Sequence, residues 1–562
     1  MYFLKKMDKL TDLQLDVINE CLEKTKGCIN IPMGSGKTLI GLCLGIKINE
    51  ILRRNGEPER PILIVCSKTL LLNWSTEIGK FFGDKLPFQI LHTNYVKELD
   101  NFRIKSKFII TTPEVISKTY KESGLDNITS QRVENVFANI KRYFIPEKPY
   151  RDINIGTDVI FSTEWSCLIV DEIQNYTNIN TMKCRALMSI YAKNRWGMSG
   201  TPFPEPLLDR IFGYYMILNL GVADTLPDMK SHLKNPNYAG LNSTMVVREK
   251  IDFTLPNVNE DLVYHDLFEE EVKIYQSMKC IMGHINALVK QYKTEKDSFR
   301  ARLFSSYKIA MITYLRQSII CPLIPITSAA LDISDLENKS QLSQMLLDKI
   351  KELQIDSWLD DEESVKSSRI RKMMETIEKY KNDKILMFFT SRACLDLFKH
   401  YIEKKHLTYT LTSDMNVKKR ENMVNEFTTN PSPSVMLLTY KMGAEGLNLQ
   451  AARTVILADM YWNYKICQQA LGRCLRKGQL SSYVNVVYYV SNTGIENIIL
   501  DKQMNKLELY NKLKVGSADV TLKKTTLEHI LKIVDIDKNI ELLNGVINFD
   551  ESEEVEFVED DE

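Results

Sequence analysis

The sequence predicts an α/β protein: two parallel-sheet units, a helical insertion between them, and a short C-terminal helical segment ending in an acidic tail. Three observations predict it. Two stretches alternate short apolar strings with helical patterns, the arrangement of strand–helix–strand units in a parallel sheet. The text between them, from about Leu267 to Tyr380, is helical and charged. At 562 residues the chain exceeds one ordinary domain and needs several units or two large ones.

In the first stretch, strands are expected at Cys28–Ile31, Ile62–Cys66, Phe108–Thr111, Cys167–Val170 and Trp196–Ser199. In the second they are expected at Ile385–Phe389, Val435–Thr439, Val455–Ala458 and Val484–Val490. These runs are short and apolar, as strands buried on both faces must be. The expected boundaries are a first lobe over 1–255, a helical linker over 256–366, a second lobe over 367–514, and a C-terminal region. The acidic run Asp360–Glu363 marks the junction ahead of the second lobe. Residues 515–548 read either as a brace helix packed on the second lobe or as a docking surface for a partner. Residues 549–562 read as a disordered acidic tail.

Composition narrows the class. Hydrophobic residues at 44% and charged residues at 26% supply enough apolar material for large cores and exclude the signature of disorder. The opening MYFLKKMDKL has no apolar h-region, and no run of about 18 apolar residues occurs. A soluble, intracellular protein of nucleus or cytoplasm is expected, in a host cell or virion if viral, with no membrane partner. The 11 cysteines form no CxxC pair and sit in strings such as ILIVCS and CLIVDE. That pattern suits buried thiols in a reducing compartment rather than zinc ligands or disulfides. Net charge is zero, but the segment Asp550–Glu562 holds nine acids and no base, leaving 73 Lys and Arg against 64 Asp and Glu, +9, before it. A basic body suits a polyanionic partner. Charge alone describes scattered solvated lysines equally well.

The segment CINIPMGSGKTLIGLCLGIKI reads strand, glycine-containing loop, helix, the context a P-loop requires. Pro32, Met33, Gly34, Ser35, Gly36, Lys37 and Thr38 form the candidate ATP cradle. Gly34 and Gly36 let the backbone close around phosphates, whose charge is met by amide N–H groups and the positive helix N-terminus. Lys37 would reach the β- and γ-phosphates and Thr38 would hold Mg²⁺. Ile31 stands where the strict pattern has its first glycine. A second acidic element, CLIVDEIQN, ends an apolar strand. There Asp171 can bind Mg²⁺ through its water shell and Glu172 can polarise the attacking water as general base. A lone Asp-Glu is commonplace; behind a P-loop in the same inferred sheet it becomes specific.

From these residues the sequence resembles superfamily II helicases, and further segments resemble the Swi/Snf type. PILIVCSKTLLLNWSTEIGKFF carries the Asn73-Trp74 and Glu77 pattern, and RWGMSGTPFPEPLLDRIFGYYMIL the Thr-Gly-Thr-Pro coupling motif with Ser199 in place of the first Thr. LRQSIICPLI is similar to the Leu-Arg…His-Pro stretch with Cys321 replacing His, and GAEGLNLQAARTVILADMYWNYKICQQALGRCLRKGQ resembles motifs V and VI together. The resemblance covers about residues 8 to 505 and implies two RecA-like lobes. It implies an ATP- and Mg²⁺-dependent DNA translocase that contacts double-stranded DNA through phosphates; a monomer is expected, and the cysteine pattern speaks against zinc. The compact build and the many Lys, Ile and Asn are reminiscent of helicases from large DNA viruses.

By the same resemblance Gln14 reads adenine, and Gln468, Arg473 and Arg476 belong to the motif whose arginines reach across the interlobe cleft. Arg476 would be the arginine finger and Arg473 would contact the γ-phosphate. Gln174, Ser199, Gly200 and Thr201 would couple ATP to nucleic acid. Gln174 replaces the usual His, Ser413 a usual Gly and Tyr464 a usual Pro; Gln174 and Ser199 retain hydrogen-bonding capacity. By motif position the track contacts are Ser67, Lys68, Thr112, Thr439, Lys441 and Gly443. Ser67 and Lys68 read equally as a solvated loop, Thr112 as the cap of a helix at Pro113, and Trp74 as core or as a stacking ring. Three functions stay open: a duplex translocase that displaces bound protein, a strand-separating DNA or RNA helicase, and a transcription-associated factor bound to RNA polymerase or chromatin-like proteins.

Overall fold

Short apolar runs become the inner strands of two parallel sheets. The computed structural model describes residues 10–503 apart from 32–34, 93–101, 126–129, 136–137, 144, 151–158, 201–207, 222–223, 234–244, 248–255, 335–340, 355–364, 413, 416, 441, 443–446, 448, 463, 477, 492 and 501–502. The described residues divide into two units, one on each side of Thr254 and Leu255.

The first unit holds β1 (Lys26–Asn30), β2 (Ile62–Val65), β3 (Phe88–Leu91), β4 (Phe108–Thr111), β7 (Trp165–Asp171), β8 (Ala192–Ser199) and β9 (Met245–Val247). They form one seven-stranded sheet in the order β3-β4-β2-β7-β8-β1-β9, parallel throughout. A separate antiparallel hairpin, β5 (Ser130–Asn135) and β6 (Ala138–Tyr143), is inserted between β4 and β7. Because strand side chains alternate, β2 sends Leu63 and Val65 to one core and Ile62 and Ile64 to the other. One core takes α1 (Asp12–Lys24), α2 (Lys37–Arg54) and α3 (Leu71–Phe82), through Val17, Leu42, Trp74 and Ile78. The opposite core takes α4 (Pro113–Glu122), α5 (Met182–Met188) and α6 (Leu208–Leu218), through Ile116, Tyr120, Leu187 and Phe212. At Gly213 an added Cβ would sit 1.9 Å from the Thr177 carbonyl oxygen, so α6 lies against the loop after Glu172 only with glycine there.

The second unit holds β10 (Asn257–His265), β11 (Lys384–Phe389), β12 (Thr408–Leu411), β13 (Ser434–Thr439), β14 (Thr454–Leu457) and β15 (Tyr483–Ser491), in the order β10-β15-β14-β11-β13-β12 and again parallel throughout. The helical insertion consists of α7 (Glu269–Thr294), α8 (Ser298–Ile320), α9 (Leu323–Ser334) and α10 (Gln341–Glu352). Three glutamates in the first turn of α7 complement its N-terminal partial charge. The chain then returns to the sheet through α11 (Ser368–Lys379), whose Ile370, Met373 and Ile377 pack under β11.

Every expected strand is present, and β8 begins four positions earlier, at Ala192. The strands β3, β9, β10 and β12 and the hairpin were not anticipated. The acidic run Asp360–Glu363, the segment 515–548 and the tail 549–562 lie outside the described residues. All 11 cysteines are free thiols and all but Cys280 are buried. Among the described residues no helix is long and apolar enough to cross a membrane.

Candidate nucleotide-binding site

The site is built on the C-terminal edge of the first sheet. In its register Asn30 at the end of β1 pairs with Ser199 at the end of β8, and Asp171 at the end of β7 pairs with Met198. The P-loop strand and the Asp-Glu strand thus flank a shared neighbour, and their loops leave on the same side, where ligands bind open α/β sheets.

The loop that follows β1 closes at Gly36, which takes φ +79° and leads into the 18-residue helix α2. A side chain there would be strained by that φ, and a Cβ would lie 2.5 Å from Gln14 Nε2. Gln14 is fixed twice. Its Oε1 accepts from Thr11 N at 3.1 Å, completing a capping box at the start of α1, and its Nε2 donates to Ser35 O at 3.0 Å. The expected adenine reader therefore lies directly against the P-loop. Lys37 Nζ donates to Ile31 O at 3.2 Å, bending back over the loop. Ser35 Oγ is buried with no hydrogen-bond partner among the described residues. An unanswered hydroxyl, a helix N-terminus and a lysine at one turn fit a phosphate chain. Pro32, Met33 and Gly34 lie outside the described residues.

Across β8, Asp171 is 7% exposed. Its Oδ1 accepts from Glu172 N at 3.1 Å and its Oδ2 from the Trp74 indole Nε1 at 2.9 Å. Burial, and then the neighbouring Glu172, push the Asp171 carboxyl up from its ordinary range, against the Trp74 hydrogen bond and the Lys37 ammonium. A divalent cation would relieve both pressures, so the donor set of Asp171 and the half-buried Thr38 suits Mg²⁺. Glu172 stands at φ 47° and ψ 49°, left-handed for a residue with a Cβ. Such strain persists where surrounding contacts enforce it and clusters at functional sites. Gln174 Nε2 donates to Glu172 Oε2 at 2.6 Å. Ser199 is fully buried at the end of β8 with Gly200 following; Thr201 lies outside the described residues.

The residues named for nucleic acid are placed unequally. Ser67 and Lys68 follow β2, with Lys68 exposed at the start of a short 3₁₀ turn that runs into α3. Thr112 follows the neighbouring β4 but is fully buried, and its Oγ1 accepts from Val115 N at 3.4 Å. That hydroxyl is the N-cap of α4 and presents no surface to a phosphate. In the second unit, Thr439 ends β13 and is half-buried, with Met442 N donating to its Oγ1 at 3.5 Å. Lys441 and Gly443 lie outside the described residues, as does Ser413.

The motif arginines also belong to the second unit. Gln468 is buried on the helix Tyr464–Leu471, which Tyr464 begins and Gly472 N closes by donating to Gln468 O at 2.8 Å. Arg473 is 4% exposed, while Arg476 bends back so that its Nε donates to Gly472 O at 2.7 Å. The functional neighbour that the sequence left ambiguous is Trp74. It is core, fully buried, and it also donates to a site carboxylate 97 positions away, a pairing with no local signal.

Comparison with known proteins places these features in a family. A model of the SNF2-related domain matches residues 15–319, and one of the helicase conserved C-terminal domain matches residues 366–478. The chain is 26% identical over 545 residues to the candidate helicase 172L of Invertebrate iridescent virus 6, covering 85% of this chain and 82% of that protein. It is 23% identical over 568 residues to TATA-binding protein-associated factor 172 of Homo sapiens, covering 92% of this chain but 28% of that much longer protein. Among solved structures it is similar to the Sulfolobus solfataricus SWI2/SNF2 ATPase core in complex with double-stranded DNA, at 21% identity, 96% and 97% coverage and a TM-score of 0.35.

Proposed function

Because the chain belongs to the SNF2-related family and is a helicase-like ATPase of Swi/Snf type, we propose that it hydrolyses ATP to move along duplex DNA and displace bound protein. The observation that carries this reading is the register that sets the Ser35–Thr38 turn and the Asp171–Glu172 pair on strands flanking β8. Gln14 would hold the adenine edge, and Lys37 would meet the β- and γ-phosphate charge. Thr38 and Asp171 would hold Mg²⁺, which when bound neutralises charge on the transferring phosphoryl group. Glu172 would orient the attacking water and take its proton. The resemblance gives Arg473 the γ-phosphate contact and Arg476 the finger. Gln174, Ser199, Gly200 and Thr201 would tie the state of this site to the track.

Ser67, Lys68, Thr439, Lys441 and Gly443 are proposed to contact phosphates through hydroxyl, ammonium and backbone groups. Contact of that kind reads little sequence and weakens steeply with salt. The test is ATP turnover by the full chain with duplex DNA, single-stranded DNA, RNA and nucleosomes, together with release of a triplex-forming strand. Duplex-stimulated turnover with triplex release is the expected result. Preference for RNA or forked DNA would instead select the strand-separating reading. A second reading is favoured by the human relative, named for association with the TATA-binding protein. In that reading the motor serves transcription in a stable complex with RNA polymerase or another DNA-bound protein, and stable co-purification distinguishes it from a motor that works alone.

A further inference from the structure

The Trp74 indole lies between three parts of the site. It is fully buried on α3, and its Nε1 donates to Asp171 Oδ2 at 2.9 Å. Its ring borders the P-loop helix so closely that a Cβ added at Gly41 would lie 3.3 Å from Trp74 Cη2. The helix carrying it grows without a break out of the turn Lys68–Leu70 that follows Ser67 at the end of β2. Core filling alone does not account for this arrangement, since phenylalanine fills such a space without an N–H. Trp165, a fully buried tryptophan at the start of β7, answers its N–H with the backbone carbonyl of Ile160 at 2.8 Å. Trp74 answers its own with a carboxylate at the candidate metal position.

We propose that Trp74 is a positioning residue that aims the Asp171 carboxylate at Mg²⁺ and carries displacements of the Ser67–Leu70 turn to it. The inference rests on the nucleotide-site reading above and adds a mechanical link to it. A carboxylate has two oxygens and a freely turning Cβ–Cγ bond. With Glu172 N on Oδ1 and Trp74 Nε1 on Oδ2, its plane is set by two donors from different segments. One donor is local to β7. The other moves with α3, so a phosphate drawn onto Ser67 or Lys68 shifts α3 and turns the carboxylate with it. Coupling of this kind needs a rigid packed path, which the close contacts around the indole provide.

The experiment uses the full chain and its Trp74→Phe variant, which keeps the aromatic bulk and removes the donor. Binding of a fluorescent ADP is titrated with Mg²⁺ and, separately, measured in chelator. Loss of a hydrogen bond to a charged group should raise the Mg²⁺ midpoint about tenfold, with chelator-measured affinity unchanged. Stimulation of ATP turnover by duplex DNA should fall with it. An unchanged Mg²⁺ midpoint in folded Trp74→Phe, or an equal loss of affinity with and without Mg²⁺, would overturn the proposal in favour of plain packing. If the variant does not fold, the parent's Trp74 indole N–H resonance decides. It must move when Mg²⁺ is added to the ADP-bound chain, and a resonance that stays put overturns the proposal. A parent that binds no nucleotide at all would overturn the site reading itself, a result distinct from either.

Discussion

Gln174 donates its carboxamide N–H to the Glu172 carboxylate at 2.6 Å, while its own Oε1 is buried without a partner among the described residues. The residue replacing the family's usual histidine therefore acts on the proposed base directly. Glu172 also sits in a left-handed backbone conformation, and its Oε2 accepts this bond. Glu172→Gln should preserve nucleotide binding and abolish turnover. Gln174→Ala should lower turnover about tenfold with nucleotide affinity unchanged, the loss expected of one hydrogen bond to a charged group. Added to Glu172→Gln, it should change nothing further, because Gln174 acts through Glu172. Steady-state turnover and nucleotide binding on the three variants check this; near-normal hydrolysis by Glu172→Gln would remove Glu172 from the role of base.

Arg476 tests the second unit's contribution to chemistry. It holds its guanidinium through Gly472 O at 2.7 Å, a local contact that any long cation at this helix end can make. A finger needs more, namely charge delivered to the transferring phosphoryl group. Arg476→Ala should lose roughly 10³-fold or more in turnover while Lys37-dependent nucleotide binding persists. Single-turnover hydrolysis at saturating ATP is the measurement, and a loss of only a few-fold would exclude the finger.

Much of this architecture was legible, and the illegible parts share a cause. The strands β2, β4 and β7 are buried along their length, and their centres, Ile62–Val65, Phe108–Ile110 and Cys167–Val170, appear as unbroken apolar text. The edge strand β10 is partly exposed along its length, opens Asn-Val-Asn-Glu-Asp, and is held by pairing with β15 over nine residues. Backbone pairing of that kind leaves no apolar signature. The site divides in the same way. Lys37, Asp171 and Glu172 are announced by spacing, because phosphate and metal chemistry constrains neighbours in the chain. The donors that brace the loop and the carboxylate are tertiary: Gln14 reaches Ser35 O over 21 positions and Trp74 reaches Asp171 over 97.

A buried ion pair anchors the second unit. Arg369 on α11 is fully buried and grips Glu496 with two bonds, Nη1 to Oε1 at 2.9 Å and Nη2 to Oε2 at 2.8 Å, while Nη1 also donates to Ala458 O at 3.2 Å. Ser491 N and Oγ donate to the same Glu496 oxygen. Removing one partner strands a charge away from water. Arg369→Met should destabilise the second unit by about 3–5 kcal/mol, and the double variant with Glu496→Leu should recover much of that. Chemical denaturation followed on the second unit's transition measures both. A single-variant loss below about 1 kcal/mol would mean water reaches the pair.

The same cluster should make the second unit acid-sensitive. Arg369 Nε donates to His265 Nε2 at 2.6 Å, which requires that imidazole nitrogen to be unprotonated. Burial, then the Arg369 charge, lower the His265 pKa from 6.5 to about 2. The sign follows from proton uptake. Below pH 6.5 the unfolded chain's histidine binds a proton that the folded one refuses, so stability falls as pH drops from 6.5 toward 2 and is unaffected above that window. The slope is about 1.4 kcal/mol per pH unit for one group, or roughly 2 kcal/mol between pH 6.5 and 5. His265→Gln keeps an acceptor for Arg369 and cannot titrate, so its second unit should lose that much less over the interval. Urea midpoints at pH 7.5, 6.5 and 5 compare the two chains. Parallel pH profiles would show that His265 takes its proton in the folded state after all, and that Arg369 does not hold it neutral.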